Sequence, residues 1–163
     1  MAKTKDIKTN AMRILDAEAV SYTVHTYDTE DGEIDGVSVA RKCGENPEQV
    51  FKTLVTRGSD GNYYVFAVPS AERLDLKKAA AAVNVKNVEM IHQKELFPLT
   101  GYIHGGCSPV GMKKQFRTVF DETILLIDTV MVSGGKVGIQ IEVLPSDLIR
   151  ITAGETADIT RAD

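Results

Sequence analysis

The sequence is poor in the residues that are typical of metal, disulfide and redox chemistry. It has no tryptophan, two cysteines and three histidines among 163 residues, and none of them falls in a paired metal-ligand spacing. A chain of this length buries enough apolar surface to fold without a disulfide, so we expect Cys43 and Cys107 to be reduced thiols. The scattered positions of His25, His92 and His104 disfavour a zinc site. We therefore expect neither a metal nor a cofactor.

Long apolar runs and an excess of positive charge are also missing. No apolar stretch approaches the roughly 20 residues that a membrane helix needs, and the lysine-containing start lacks the apolar segment of a secretory signal. The formal net charge is −4, whereas a protein that coats nucleic acid is usually basic. We expect a cytoplasmic protein that does not bind membranes. If it binds a nucleic acid, we expect it to contact only one end of that molecule.

The chain has instead the composition of an ordinary globular protein, with 43% hydrophobic and 26% charged residues. Helical and strand patterns intermix without a repeat or a linker, which predicts a single α/β domain over residues 1–163. The predicted helices cover residues 10–18, 37–43, 76–83, 93–97 (ending before Pro98) and 145–149. The predicted strands cover residues 22–27, 50–56, 63–69, 88–91, 118–120, 124–127, 129–132 and 138–143, with hairpin turns at 57–62 and 133–136.

A lysine interrupts one of the most apolar strands. In an alternating strand over residues 50–56, Lys52 lies on the same face as Val50 and Leu54. One interpretation is an edge strand whose ammonium group reaches solvent along its aliphatic stem. The other is a lysine that faces a cleft and holds a polar group of a substrate.

Two glycine-containing segments are the other candidates for chemistry. Adjacent glycines in the segment 105–111 let a ligand approach main-chain N–H groups, which can stabilise a carbonyl as it becomes an oxyanion. An ordinary tight turn is the alternative there, and a hairpin turn is the alternative for residues 133–136. Cys107 and His104 could form a thiol nucleophile and its base, but three residues apart in a loop they need not meet. Cys43, on a short helix, is predicted to be a buried apolar residue.

Taken together, these segments resemble the YbaK/EbsC family. The sequences FKTL at 51–54, GGCSPVG at 105–111 and VSGGK at 132–136 have the order and spacing of that family, and shorter segments at 25–28, 76–80, 88–90 and 100–102 agree with it. The family comprises free-standing Cys-tRNA(Pro) deacylases related to the editing domain of bacterial prolyl-tRNA synthetases. The resemblance covers nearly the whole chain and implies a mixed, mostly antiparallel and partly barrel-like sheet flanked by helices.

The resemblance also implies a set of site residues. Lys52 holds the place of the family's essential lysine, and Gly105 and Gly106 begin its GxxxP motif, whose backbone N–H groups face the substrate carbonyl. The implied substrate-binding residues are Tyr27, Thr53, Cys107, Ser108, Pro109, Ser133, Gly134 and Gly135. The chain departs from the family in two places. Cys107 replaces a residue that is often aliphatic, and the loop after Tyr27 lacks the second aromatic of some members, leaving Ile34 as the nearest apolar residue.

Such a site fits the hydrolysis of an aminoacyl ester, which is already activated, so that positioning and oxyanion stabilisation supply much of the acceleration. Our hypothesis is that Lys52 binds the phosphate or ribose of the terminal adenosine and does not act as a base. In family members that act on cysteine, the substrate thiol is thought to attack its own ester, whereas relatives that act on alanine are thought to use water. We therefore expect Cys-tRNA(Pro) as the first substrate and Ala-tRNA(Pro) as the second.

The expected partners are the acceptor end of an aminoacyl-tRNA and, from the resemblance, prolyl-tRNA synthetase. Basic residues near the glycine segments are candidate tRNA contacts, although a solvated surface is an equal alternative. They are Lys113, Lys114, Arg117 and Lys136. Two other functions stay open at this point: a non-catalytic module that binds a nucleotide or the tRNA acceptor end, and a thiol-dependent hydrolase built on Cys107.

Overall fold

The computed structural model describes residues 8–161. Residues 1–7 and 162–163 lie outside the described residues. They include most of the start that we compared with a secretory signal and the two ends of the expected domain. The helices of this part are α1 (Asn10–Ala17), α2 (Gly36–Cys43), α3 (Leu76–Ala82), α4 (Gln93–Thr100) and α5 (Pro145–Thr152), with 3-10 segments at Pro47–Gln49 and Glu122–Leu126. The strands are β1 (Thr23–Thr26), β2 (Phe51–Gly58), β3 (Tyr63–Pro69), β4 (Arg73–Leu74), β5 (Val88–Met90), β6 (Arg117–Asp121), β7 (Val130–Lys136), β8 (Ile139–Val143), β9 (Glu155–Ala157) and β10 (Thr160–Arg161).

The strands form two larger sheets and one small one. The five-stranded sheet has the order β5-β2-β3-β6-β9, with antiparallel pairing on the β5 side and parallel pairing on the β9 side. The three-stranded sheet β1-β8-β7 is antiparallel, as is the pair β4-β10. A parallel bridge between Val50 and Met131 joins the two larger sheets. The predicted fold class, a mixed and mostly antiparallel sheet with flanking helices, is confirmed, and within residues 8–161 no sheet closes into a barrel.

The helix ends follow the local sequence. Thr9 and Asp75 accept hydrogen bonds from backbone N–H groups at the starts of α1 and α3. Each cap of this kind stabilises a helix by about 1 kcal/mol. Asp35 caps α2 in the same way, and Gly44 ends it in the left-handed conformation with φ of 71°.

Two predicted boundaries were wrong. Helix α4 does not stop before Pro98 but continues to Thr100. The proline removes one backbone donor, while the Thr100 hydroxyl donates to Leu96 O and Gly101 N donates to Phe97 O, so the last turn is still closed. The predicted strand at 124–127 is a 3-10 segment instead, because the Asp121 carboxylate accepts hydrogen bonds from both the backbone and the hydroxyl of Thr123 and starts a turn.

The predicted turn at 133–136 was also wrong. Strand β7 continues through Lys136, and the chain turns at Val137 and Gly138, where Gly138 has a φ of 96°. Ser133 pairs with Gln140 and Lys136 with Ile139, so two extra residues of β7 form a bulge. Strands β4, β9 and β10 were not predicted, because they have only two or three residues each.

Helices cover the sheets and complete the core. Helices α1 and α5 pack on the three-stranded sheet around Leu15, Ile141 and Leu148, all of which are fully buried. Helix α3 packs on the five-stranded sheet next to Phe66. Within residues 8–161, the helices are too short or too polar to cross a bilayer.

Candidate functional site

A cavity of about 320 Å³ opens where the two larger sheets meet. Its wall combines the start of α2, the first residues of β2, the loop before β6 and the paired strands β7 and β8. Of the predicted site residues, Lys52, Thr53, Gly105, Cys107 and Ser133 line this cavity. The other lining residues are Ile34, Asp35, Gly36, Val37, Val39, Val50, Phe51, Leu54, Ser70, Leu96, His104 and Gln140.

Lys52 is held at the cavity by strand pairing. It pairs with Val68 of β3 and is half-buried. Two residues before Lys52, Val50 O accepts hydrogen bonds from both the backbone and the hydroxyl of Ser70, which ties the start of β2 to the end of β3. Gly36 lies against Ser70 so closely that a Cβ atom would collide with its side chain. The structure therefore places Lys52 in a cleft under the start of α2.

The loop that faces Lys52 contains a tight turn. Gly106 N donates to Ile103 O at 2.9 Å, and Gly105 has a φ of 86° at the third position, as a type II turn requires. The Gly106 N–H is thus used within the turn. The N–H groups of Gly105 and Cys107 make no hydrogen bond to any residue of the described range 8–161.

Close packing fixes this loop on the β7–β8 hairpin and on the loop that follows β1. A Cβ atom on Gly106 would lie 2.9 Å from Val137 N, so only glycine lets the two backbones approach this closely. A Cβ atom on Gly105 would lie 2.9 Å from Ile34 Cδ1. Ile34, the apolar residue in the place of the missing aromatic, is therefore part of the cavity wall.

Cys107 is a poor nucleophile in this environment. Its side chain is buried, and burial raises the pKa of the thiol to about 12, against a smaller opposing effect of a hydrogen bond with Thr100. His104 lines the same cavity but is exposed. Since the thiolate is the reactive form, the hypothesis of a Cys107-dependent hydrolase is disfavoured. Cys43, which was predicted to be buried, is half-buried, and both cysteines are free thiols.

We expect Cys107→Ala to retain activity within about threefold and wild-type protein to resist iodoacetamide at pH 8. With a pKa of about 12, only about one thiol in 10⁴ is ionised at that pH. The measurement is deacylation rate after alkylation, with mass spectrometry to identify the labelled cysteine. Rapid loss of activity together with label on Cys107 would restore the thiol hypothesis.

Several predicted pocket residues lie behind the cavity wall. The Ser108 hydroxyl accepts from Val110 N at 3.2 Å, and Pro109 lines a separate cleft of about 110 Å³. Gly134 O accepts from the Thr9 hydroxyl at 2.5 Å. Ser133 itself faces the cavity and its hydroxyl accepts from Gly135 N at 3.1 Å. The glycine bulge thus supports the site from behind.

Three buried side-chain atoms lack a hydrogen-bond partner in the described part of the chain: Tyr27 Oη, Thr53 Oγ1 and Gln140 Oε1. Leaving such an atom unsatisfied costs about 1–3 kcal/mol, so it points to a ligand or an ordered water. Thr53 and Gln140 both line the cavity. Gln140 was not predicted as a site residue, because a polar residue in the alternating strand β8 looks the same in sequence whether it faces solvent or a site.

The four basic candidates differ in their surroundings. The Arg117 guanidinium contacts the Glu155 carboxylate at 2.6 and 2.9 Å, so its charge is already paired. Lys113 Nζ lies 5.2 Å from the ring centroid of Phe97, and Lys114 Nζ lies 6.0 Å from that of Phe116. Lys136 is exposed on β7.

One group of three residues in the described range could hold a metal ion. Single ligand atoms of His25, Glu45 and Glu142 lie within 4.8 Å of one another. His25 Nε2 is 2.8 Å from Glu142 Oε1, and the Thr129 hydroxyl donates to Glu142 Oε2 at 2.5 Å. The Thr129 hydrogen bond, followed by that of His25, lowers the pKa of Glu142. These bonds satisfy Glu142 within the protein, and none of the three residues lines the cavity.

Sequence comparison identifies relatives along the whole chain. The aminoacyl-tRNA editing domain family matches residues 35–151. A protein of Enterococcus faecalis (strain ATCC 700802 / V583), provisionally named Cys-tRNA(Pro)/Cys-tRNA(Cys) deacylase EbsC, is 44% identical over 161 residues, which are 98% of each chain.

Solved structures show the same fold. One, described provisionally as a trans-editing enzyme for prolyl tRNA synthetase, is 27% identical with a TM-score of 0.82, over 96% of this chain and 100% of the other. The hypothetical protein APE2540 shares the fold with a TM-score of 0.85 at 22% identity, over 94% and 100% of the two chains. The family that the sequence motifs indicated is thus confirmed: the chain belongs to the aminoacyl-tRNA editing domain family, a family of hydrolases that act on aminoacyl-tRNA.

Proposed function

We propose that the chain is a trans-editing deacylase that removes wrongly attached cysteine from tRNA(Pro). The observation that carries this proposal is one cavity of about 320 Å³ lined by Lys52, by two residues with unused backbone N–H groups and by two residues with partnerless side-chain oxygens. The provisional name of the Enterococcus faecalis relative supports cysteine as the amino acid.

The unused N–H groups of Gly105 and Cys107 are the oxyanion donors in this mechanism. They belong to one loop that is fixed on the hairpin, and donors held in advance cost no reorganisation when charge develops. Gly106 contributes by packing, since its own N–H closes the turn. This assignment refines the one implied by the family motif, which included Gly106 among the donors.

Lys52 and the unsatisfied oxygens position the two ends of the ester. The Lys52 ammonium binds the phosphate or ribose of the terminal adenosine. We assign the α-ammonium group of the amino acid to the part of the cavity beside Gln140 and Thr53, whose side-chain oxygens lack a partner within the described residues. The apolar side chains of Ile34, Val39 and Leu96 enclose the small side chain of the substrate.

The bond changes involve only substrate atoms. The sulfur of the attached cysteine attacks its own carbonyl carbon, and the bond from that carbon to the ribose oxygen breaks. The ribose oxygen takes the thiol proton, and cysteine leaves as a cyclic thioester that water then opens. Positioning and the two amides supply the acceleration, so the protein needs no nucleophile of its own.

The test is release of radiolabelled amino acid from Cys-tRNA(Pro) and Ala-tRNA(Pro), with and without prolyl-tRNA synthetase. We expect rapid loss of cysteine, slow loss of alanine and a further increase in rate when the synthetase is present. Faster release of alanine would assign the chain to water-dependent editing. No release from either tRNA under both conditions would favour a non-catalytic binding module.

A further inference from the structure

One aromatic side chain stands apart from all the others. The chain has five tyrosines, five phenylalanines and no tryptophan, all within residues 8–161, and only Phe97 is exposed. Its side chain is 54% exposed on helix α4. A single exposed apolar residue is ordinary on a protein surface. The position of Phe97 and the charge beside it are what suggest a role.

Phe97 lies next to the cavity of the site. The preceding residue, Leu96, is part of the cavity wall, and consecutive Cα atoms are about 3.8 Å apart. On the other side of Gly101, His104 also lines the cavity, and Ile103 before it is 55% exposed. Exposed apolar side chains thus lie on both sides of Gly101, each next in the chain to a residue of the cavity wall.

Positive charge accompanies this surface. Lys113 Nζ lies 5.2 Å from the ring centroid of Phe97 and 3.4 Å from Pro98 O, and its stem packs on Gly101. The side chain is exposed and makes no ion pair with a carboxylate of the described residues. We call the group of Phe97, Ile103, His104 and Lys113 the rim patch.

We propose that the rim patch binds the unpaired nucleotides that precede the terminal adenosine of the tRNA, with one base stacked on Phe97 and its phosphate near Lys113. The proposal rests on the proposed function, because it requires the terminal ester to lie in the cavity. Aromatic stacking next to a cation is the usual way in which proteins hold single-stranded nucleic acid without reading its sequence. A single local grip of this kind also agrees with a net charge of −4, since it needs no basic surface.

Two substrates separate this patch from the cavity. One is Cys-tRNA(Pro), and the other is cysteinyl-adenosine, which has the ester and the terminal nucleoside but no further nucleotides. We expect Phe97→Ala to reduce kcat/KM about 5- to 100-fold on the tRNA and to leave it unchanged on cysteinyl-adenosine. Phe97→Trp should retain activity, whereas Phe97→Leu should behave like the alanine variant, because leucine is apolar but does not stack. Leu125→Ala, at a residue 64% exposed on the Glu122–Leu126 segment, is the matched control.

A binding measurement makes the test independent of turnover. The fluorescence of 2-aminopurine next to the terminal adenosine of uncharged tRNA should change on addition of wild-type protein but not of Phe97→Ala. Lys113→Ala should make the slope of log affinity against log salt less negative by about 0.7, the value for one phosphate of a single strand.

Each contrary outcome has one meaning. Full activity of Phe97→Leu, equal losses on both substrates, or unchanged fluorescence with Phe97→Ala would overturn the proposal. An effect of Phe97→Ala only in the presence of prolyl-tRNA synthetase would overturn it in favour of a protein contact. If wild-type protein hydrolyses neither substrate, the proposed function fails, and the fluorescence still decides whether the rim patch holds nucleotides.

Discussion

Replacement of Lys52 by alanine is expected to reduce the rate of Cys-tRNA(Pro) deacylation by at least about 100-fold while leaving the protein folded. The lysine is half-buried in the cavity wall, and its ammonium group is the part of the site assigned to the terminal adenosine. Because the proposed chemistry depends on placing the ester against fixed amides, the loss of the group that orients it acts on the rate directly. Single-turnover kinetics on Cys-tRNA(Pro) measure the effect.

Two further variants separate the charge of Lys52 from its shape. Lys52→Arg keeps the charge but presents a planar group, so we expect partial activity, whereas Lys52→Met keeps the stem and should be as inactive as alanine. Lys77→Ala is the matched control, since Lys77 is an exposed lysine on α3. Thermal unfolding of all variants reports whether they fold. Turnover of folded Lys52→Ala at the wild-type rate would remove Lys52 from the mechanism.

Gly106→Ala is expected to lower the same rate by about 100-fold through displacement of the loop. The new Cβ atom would lie 2.9 Å from Val137 N and 3.1 Å from two main-chain atoms of Lys136. These backbone atoms cannot rotate away, so the loop must move off the hairpin and take the neighbouring N–H groups of Gly105 and Cys107 with it. A misplacement of about 1 Å can cost roughly 10² in rate.

Gly61→Ala provides the control for the general cost of a glycine substitution. Gly61 has a φ of 85° in the turn before β3, and no atom lies within 4 Å of the added methyl group. It should lose about 1 kcal/mol of stability to backbone strain and keep full activity. Gly106→Ala should lose activity at 25 °C even where it remains folded. Wild-type activity of Gly106→Ala would mean that the loop can shift without consequence and that its amides are not the oxyanion donors.

Regular elements with strong local patterns could be predicted from the sequence. Features that depend on contacts between residues distant in the chain could not. Caps at Thr9 and Asp75 are local, so they could be predicted from a few residues. The bulge after Ser133 depends on how β7 aligns with β8, and a glycine pair in the sequence is equally compatible with a turn.

The same division applies to the site. Lys52 and the glycine loop could be placed together only through resemblance to a family, since residues 52 and 105 belong to segments whose approach is set by the tertiary fold. Gln140 could not be found, because nothing local distinguishes its face of β8 from a solvated one. The loss of the Gly106 N–H as a donor also depends on a hydrogen bond that only the folded turn reveals.

The bridge between Val50 and Met131 places the cavity at the junction of two sheets. Lys52 and Thr53 come from one large sheet, while Ser133 and Gln140 come from the other, and this bridge connects the two next to the cavity. The distance between Lys52, which we propose binds the nucleoside, and Gln140, which we propose faces the amino acid, is therefore set by how the two sheets are aligned. Any motion that slides one sheet against the other changes the distance between the residues that they contribute to the cavity. The fit of a particular aminoacyl ester therefore depends on the alignment of the two sheets as well as on the side chains.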